Sequence, residues 1–99
     1  MKTILIKDLL GTKYPTSHEQ GKQVYDAVKA EIDAGNSVIL DFEGLKVCTS
    51  HLWGPGIGGL YDTFGEGLTE KLVLENIKSS LWRERINEVI EFALKTREK

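Results

Sequence analysis

The sequence predicts a small α/β domain, a mixed or parallel sheet with about three main helices. Three observations carry that prediction. Short apolar runs rich in β-branched residues recur at residues 4–6, 38–40 and 72–74, and runs of this length bounded by turn residues read as strands. Longer segments between and after them set apolar residues at helical spacing. The two kinds of segment alternate as strand, helix, strand, helix, strand, helix, an order that favours parallel neighbours in one sheet.

Ile4, Leu5 and Ile6 form the first strand. Gly11 and Pro15 mark the turn after it. Thr16 with Glu19, or Ser17 with Gln20, has the spacing of a capping box. The helix that follows carries Gly21, Val24, Tyr25, Val28 and Ile32 on one stripe, with Lys22, Asp26, Lys29 and Asp33 elsewhere. Gly35 ends it as a left-handed cap, followed by Asn36. Val38, Ile39 and Leu40 are continuously apolar, which suits a strand covered on both faces or heavily on one. Trp53, Ile57, Leu60, Tyr61 and Phe64 define a second helix, shortened at its start by Pro55, since proline is tolerated only in a first turn. Leu72, Val73 and Leu74 form the third strand. After a turn at 76–80, Ser79 or Ser80 caps a last helix with Trp82, Ile86, Val89, Ile90 and Ala93 inward.

The chain of 99 residues suits one domain, spanning 1–99, and is too short for two independent cores. Apolar residues at 40% and charged residues at 28% fit a folded chain. A net charge of −2 without a basic run gives no footprint for nucleic acid. The mixed charges of residues 95–99 read as a solvated helix end. Cys48, the single cysteine, has no partner within the chain for a disulfide, and a reducing compartment suits it. The short first apolar run is followed by Lys7 and Asp8, so it reads as a strand and not as a signal peptide. No stretch approaches the ~20 apolar residues of a membrane span. These readings place the protein in the cytoplasm.

One stretch carries a family resemblance. It runs Val38-Ile39-Leu40-Asp41-Phe42-Glu43-Gly44-Leu45, then Val47-Cys48-Thr49-Ser50, then Ile57-Gly58-Gly59-Leu60-Tyr61-Asp62-Thr63-Phe64-Gly65, and closes with the third strand leading into Asn76. In this order it resembles the STAS-like family of bacterial proteins, related to sulfate-transporter and anti-sigma-factor-antagonist domains. Gly11 and Gly21 fit the same pattern. The resemblance implies a protein-binding partner-switching module. It further implies a serine on the loop after the Asp-bearing strand, phosphorylated by a serine kinase of the histidine-kinase-like ATPase type. Counted from Asp41, that position falls on Ser50, with Thr49 beside it. The family usually has an aromatic residue and an acidic pair just after this loop. Here His51-Leu52-Trp53-Gly54-Pro55-Gly56 stands there, so the surface a partner meets has its own chemistry.

Each candidate also has a plainer reading. A hydroxyl at Ser50 or Thr49 is a phosphate acceptor, where a phosphate brings roughly −1.5 to −2 charge, or a simple helix cap. Asp41 orients that loop or closes an Asx-type turn. Gly54, Gly56, Gly58 and Gly59 bare one helix face so that another backbone can approach closely, and with Asp41, His51 and Trp53 they form the candidate partner-binding set. Core packing is the default for Trp53, as for Trp82, and an interface anchor is its alternative. Residues 54–59 also match G-x-G-x-x-G, with Glu75 about 20 residues on, which is the alternative of a small-ligand or nucleotide-binding module. A long loop separates this match from its strand, and a dinucleotide fold needs two halves. Cys48 and His51 are the weakest alternative, a nucleophile pair for which Asp41, Asp62 and Glu43 are the only nearby carboxylates to orient the base. With His18 they make no convincing metal set. The expectation is a binding module at residues 45–55, not an enzyme, with no cofactor and no metal.

Overall fold

The computed structural model describes residues 1–97. Glu98 and Lys99, the end of the mixed-charge tail, lie outside the described residues. Strand β1 (Lys2–Leu5) runs directly into a short helix α1 (Ile6–Leu10), which takes Ile6 out of the expected strand. Five residues are too few to show a helical period, and Gly11 at φ 69° closes the turn by donating to the Lys7 carbonyl. Helix α2 (His18–Asp33) starts at Ser17. The Ser17 hydroxyl accepts from the Gln20 N–H at 3.2 Å, and Gln20 Oε1 accepts from the Ser17 N–H at 3.0 Å. The capping box is therefore the Ser17–Gln20 one.

Strand β2 (Val38–Asp41) is central and parallel to both neighbours, β1 and β3 (Leu72–Glu75). Register pairs Ile4 with Leu40 and Leu40 with Leu74, and also Val38 with Leu72. Val38 and Leu40 are wholly buried, whereas Ile39 is half-buried and Val73 is 41% exposed. The pleat thus directs one face of the sheet into the core and leaves the other face largely open. The continuous apolar run of β2 reflects heavy cover on one face rather than cover on both.

The core joins that face to Val24, Val28 and Ile32 of α2 and to Leu52, Trp53, Ile57, Leu60 and Tyr61 of the segment after β2. That segment is longer than expected. Helix α3 (Ser50–Trp53), a π-helical turn (Gly54–Gly58) and helix α4 (Gly59–Phe64) follow one another without a break. Pro55 therefore lies inside a helical run instead of at its start. Proline has no N–H to offer the carbonyl four residues back and crowds it, and the widened π turn accommodates this. A 3₁₀ turn (Gly65–Glu70) leads to β3. Helix α5 (Ser80–Arg97) follows, with the Ser79 hydroxyl accepting from the N–H groups of Leu81 and Trp82. No described helix is long and apolar enough to cross a membrane.

Candidate functional site

The loop after β2 is built from buried anchors and backbone staples. Phe42 and Leu45 are buried, and the turn between them closes through the Leu45 N–H on the Phe42 carbonyl with Gly44 at φ 83°. The N–H groups of Lys46 and Val47 both donate to the Lys13 carbonyl, at 2.8 and 3.4 Å. Cys48 is also buried. The chain is thus held up to the first turn of α3.

Asp41 ends β2 and does two things. Its Oδ1 accepts from the Glu43 N–H at 2.8 Å, which is the expected Asx-type turn, and from Asn76 Nδ2 at 2.9 Å. Asn76 itself has φ 60°, a left-handed conformation that asparagine tolerates better than most residues. The side chain therefore ties the ends of β2 and β3 together. Sequence reasoning knew Asn76 only as a family position. Its pairing with Asp41 joins residues far apart in the chain and has no local signal.

The two adjacent hydroxyls differ sharply. Thr49 occupies the cap position of α3 but makes no capping hydrogen bond, and its Oγ1 is buried with no partner among the described residues. Ser50 is exposed, with no side-chain hydrogen bond among the described residues. His51 is exposed beside it. The plain-cap reading therefore holds for neither hydroxyl.

The glycines and Trp53 need correction. Trp53 is only 6% exposed and packs in the core, the default reading of a tryptophan on a helix stripe, which leaves little of it for a partner to meet. A Cβ at Gly58 would lie 2.7 Å from Val89 Cγ1 of α5, and one at Gly56 would lie 3.1 Å from the Gly21 carbonyl oxygen of α2. Close approach is real at these positions, but it is the domain's own helices that approach. Gly59 faces Tyr25, whereas Gly54 has open space around it. Gly54 precedes Pro55 in a helical conformation, and a Cβ in that position collides with the proline ring. The segment 54–59 is helical and not a phosphate-cradling loop, so the nucleotide alternative loses its geometric basis. The Gly54, Gly58 and Gly59 backbone still lines one wall of an open groove of about 680 Å³, with α5 as the other wall.

Burial pushes the Cys48 thiol up to about 12, which disfavours the thiolate. No hydrogen bond joins Cys48 to His51 among the described residues, and no cluster of His, Cys, Asp and Glu suited to a metal occurs among them.

A parallel sheet, core helices on one face, and a stapled loop leading from the central strand into an exposed hydroxyl define a small STAS-like α/β domain. The chain matches the STAS-like domain of unknown function (DUF4325) over residues 20–82, and it belongs to that family. The match takes in α2 from its third residue, then β2, the loop, the whole helical run, β3 and the start of α5. No curated protein and no solved structure gives a significant match.

Proposed function

We propose that this domain is a cytoplasmic protein-binding regulatory module, not an enzyme, and that phosphorylation at Ser50 switches its partner. The observation that carries the reading is the contrast between neighbours. Ser50 is exposed and, among the described residues, free of side-chain bonds at the start of the helical run, whereas the Thr49 hydroxyl is buried. A kinase reaches Ser50 without unfolding the loop, because Cys48, Leu52 and Trp53 keep their anchors. A phosphate there adds roughly −1.5 to −2 charge to the surface that a docked protein would cover. Desolvating that charge opposes docking. The kinase that this reading favours is a histidine-kinase-like ATPase of the anti-sigma type, which would also be the partner.

The experiment is affinity capture of the parent, Ser50→Ala and Ser50→Asp chains from the native cell, with phosphopeptide mapping of residues 45–55. The reading expects a phosphate on Ser50 and a partner retained by Ser50→Ala but lost by Ser50→Asp. A partner held equally by all three chains removes Ser50 as the switch.

A further inference from the structure

The outer face of α5 carries two apolar side chains that the domain leaves uncovered. Leu81 is 53% exposed and Phe92 is 69% exposed. Neither lies on the inward stripe of Trp82, Ile86, Val89, Ile90 and Ala93. Their separation is close to three full helical turns, so they project within about 20° of each other. On the same face between them, Arg85 pairs with Glu88 at 3.3 Å, with side chains 55% and 54% exposed. An exposed pair of this kind adds little to the stability of its own helix.

The spacing is symmetric. Leu81 stands four residues before Arg85, and Phe92 stands four residues after Glu88. The face therefore reads apolar, basic, acidic, apolar. Turned end for end, these four positions set base against acid and apolar against apolar. A two-fold contact between identical chains needs a surface of this kind, complementary to itself under a half-turn.

We propose that a second copy of this chain docks on α5, with the two helices antiparallel about a two-fold axis between Arg85 and Glu88. Leu81 of one copy meets Phe92 of the other, and Arg85 meets Glu88, each contact occurring twice. The groove beside α5, with Glu88 and Phe92 among its lining residues, leaves the incoming helix free to approach from that side. A helix from an unrelated protein would require apolar and charged groups here, but not their mirror spacing. One helix pair buries an area at the low end of specific interfaces, below ~1,200 Å², so the association is weak and reversible. It stands apart from Ser50 and from the identity of any other partner.

Sedimentation of the purified chain at concentrations up to ~1 mM tests the proposal. The chains are the parent, Arg85→Glu, Glu88→Arg, and an equimolar mixture of the two variants. The parent is expected to self-associate reversibly. Each variant alone is expected to associate at least about tenfold more weakly, because like charges then face each other across the axis. The mixture is expected to recover dimer, since every cross-contact again joins opposite charges. Neither variant regains its own ion pair on mixing, so recovery cannot come from a restored helix. A monomeric parent, a parent whose association ignores both substitutions, or a mixture that stays monomeric would each overturn the proposal.

Discussion

Replacing Gly21 by alanine tests how α2 is seated. Gly21 is buried where α2 crosses the first turns of the run after β2. An added Cβ would lie 2.5 Å from the His51 carbonyl oxygen, 2.6 Å from Pro55 Cγ and 2.8 Å from the Leu52 carbonyl oxygen. Two of those three atoms are helix backbone and cannot swing aside, and the third belongs to a proline ring. Intrinsic propensity argues the other way, since alanine is better than glycine inside a helix by about 1 kcal/mol. Overpacking of a tight contact costs ~1–3 kcal/mol, and the rigid neighbours place this site at the upper end. The net expectation is a loss of about 2 kcal/mol, equivalent to a fall in melting temperature of roughly 8–16 °C for a domain of this size. Urea unfolding followed by the fluorescence of the buried Trp53 and the half-buried Trp82 measures it directly. Gly67→Ala is the control. That glycine has nothing within 4 Å of an added Cβ and no left-handed φ, so it should gain about 0.4–1 kcal/mol. If Gly21→Ala proved as stable as the parent, the crossing of α2 over the Pro55 turn would have to be looser than described.

Ser50→Ala should cost less than ~0.5 kcal/mol in the same urea assay, because the exposed hydroxyl holds nothing; a larger loss would reveal a structural role. Thr49→Val should be neutral or stabilising by up to ~1 kcal/mol, since it removes a buried hydroxyl with no partner among the described residues, and under the switch proposed for Ser50 it should leave any phosphate found there by phosphopeptide mapping in place. Cys48 should react slowly with thiol reagents at neutral pH until the chain is unfolded, and fast stoichiometric labelling abolished by His51→Ala would revive an enzymatic role. The same raised thiol pKa fixes a sign. The unfolded chain loses the Cys48 proton near 9 and the folded chain near 12, so this group's contribution to stability is complete below pH 9 and is lost as pH rises from 9 to 12. Stability scans of parent and Cys48→Ala over that range should diverge accordingly. Asn76→Ala should cost about 1–2 kcal/mol from its left-handed φ alone, and Asn76→Gly should cost less, because only the bond to Asp41 is lost.

The strands, the Ser17 cap, the inward stripes of α2 and α5 and the buried Cys48 were legible because each depends on nearby residues. Periodicity and capping chemistry are written within a few positions of where they act. The features that escaped depend on distant ones. Gly56, Gly58 and Gly59 read correctly as sites of close approach, but nothing local says whether the approaching group is α2, α5 or another protein. Trp53 on its helix stripe reads as a core residue by default, and its burial agrees with that, whereas the interface alternative depended on a neighbour no local signal reveals. Pro55 suggested a helix start, and only the surrounding packing shows the helix passing through it. The contrast between Thr49 and Ser50 was invisible for the same reason, since two adjacent hydroxyls in one sequence context differ only once the loop is stapled to Lys13.

The π turn sets the rotational phase of the surface before it. Extrapolated back from Ile57, Leu60, Tyr61 and Phe64, an uninterrupted α-helix would bring position 50 to within about 20° of that inward stripe. Ser50 would then be directed into the protein. The wider turn at Gly54–Gly58 holds an extra residue, which advances everything ahead of it by about 100°. Leu52 and Trp53 take the inward positions, and Ser50 and His51 rotate out to solvent. Deleting one residue from that turn would undo the rotation and hide the serine while leaving every strand in place. The proline and glycines of the turn thus govern whether Ser50 can be reached at all.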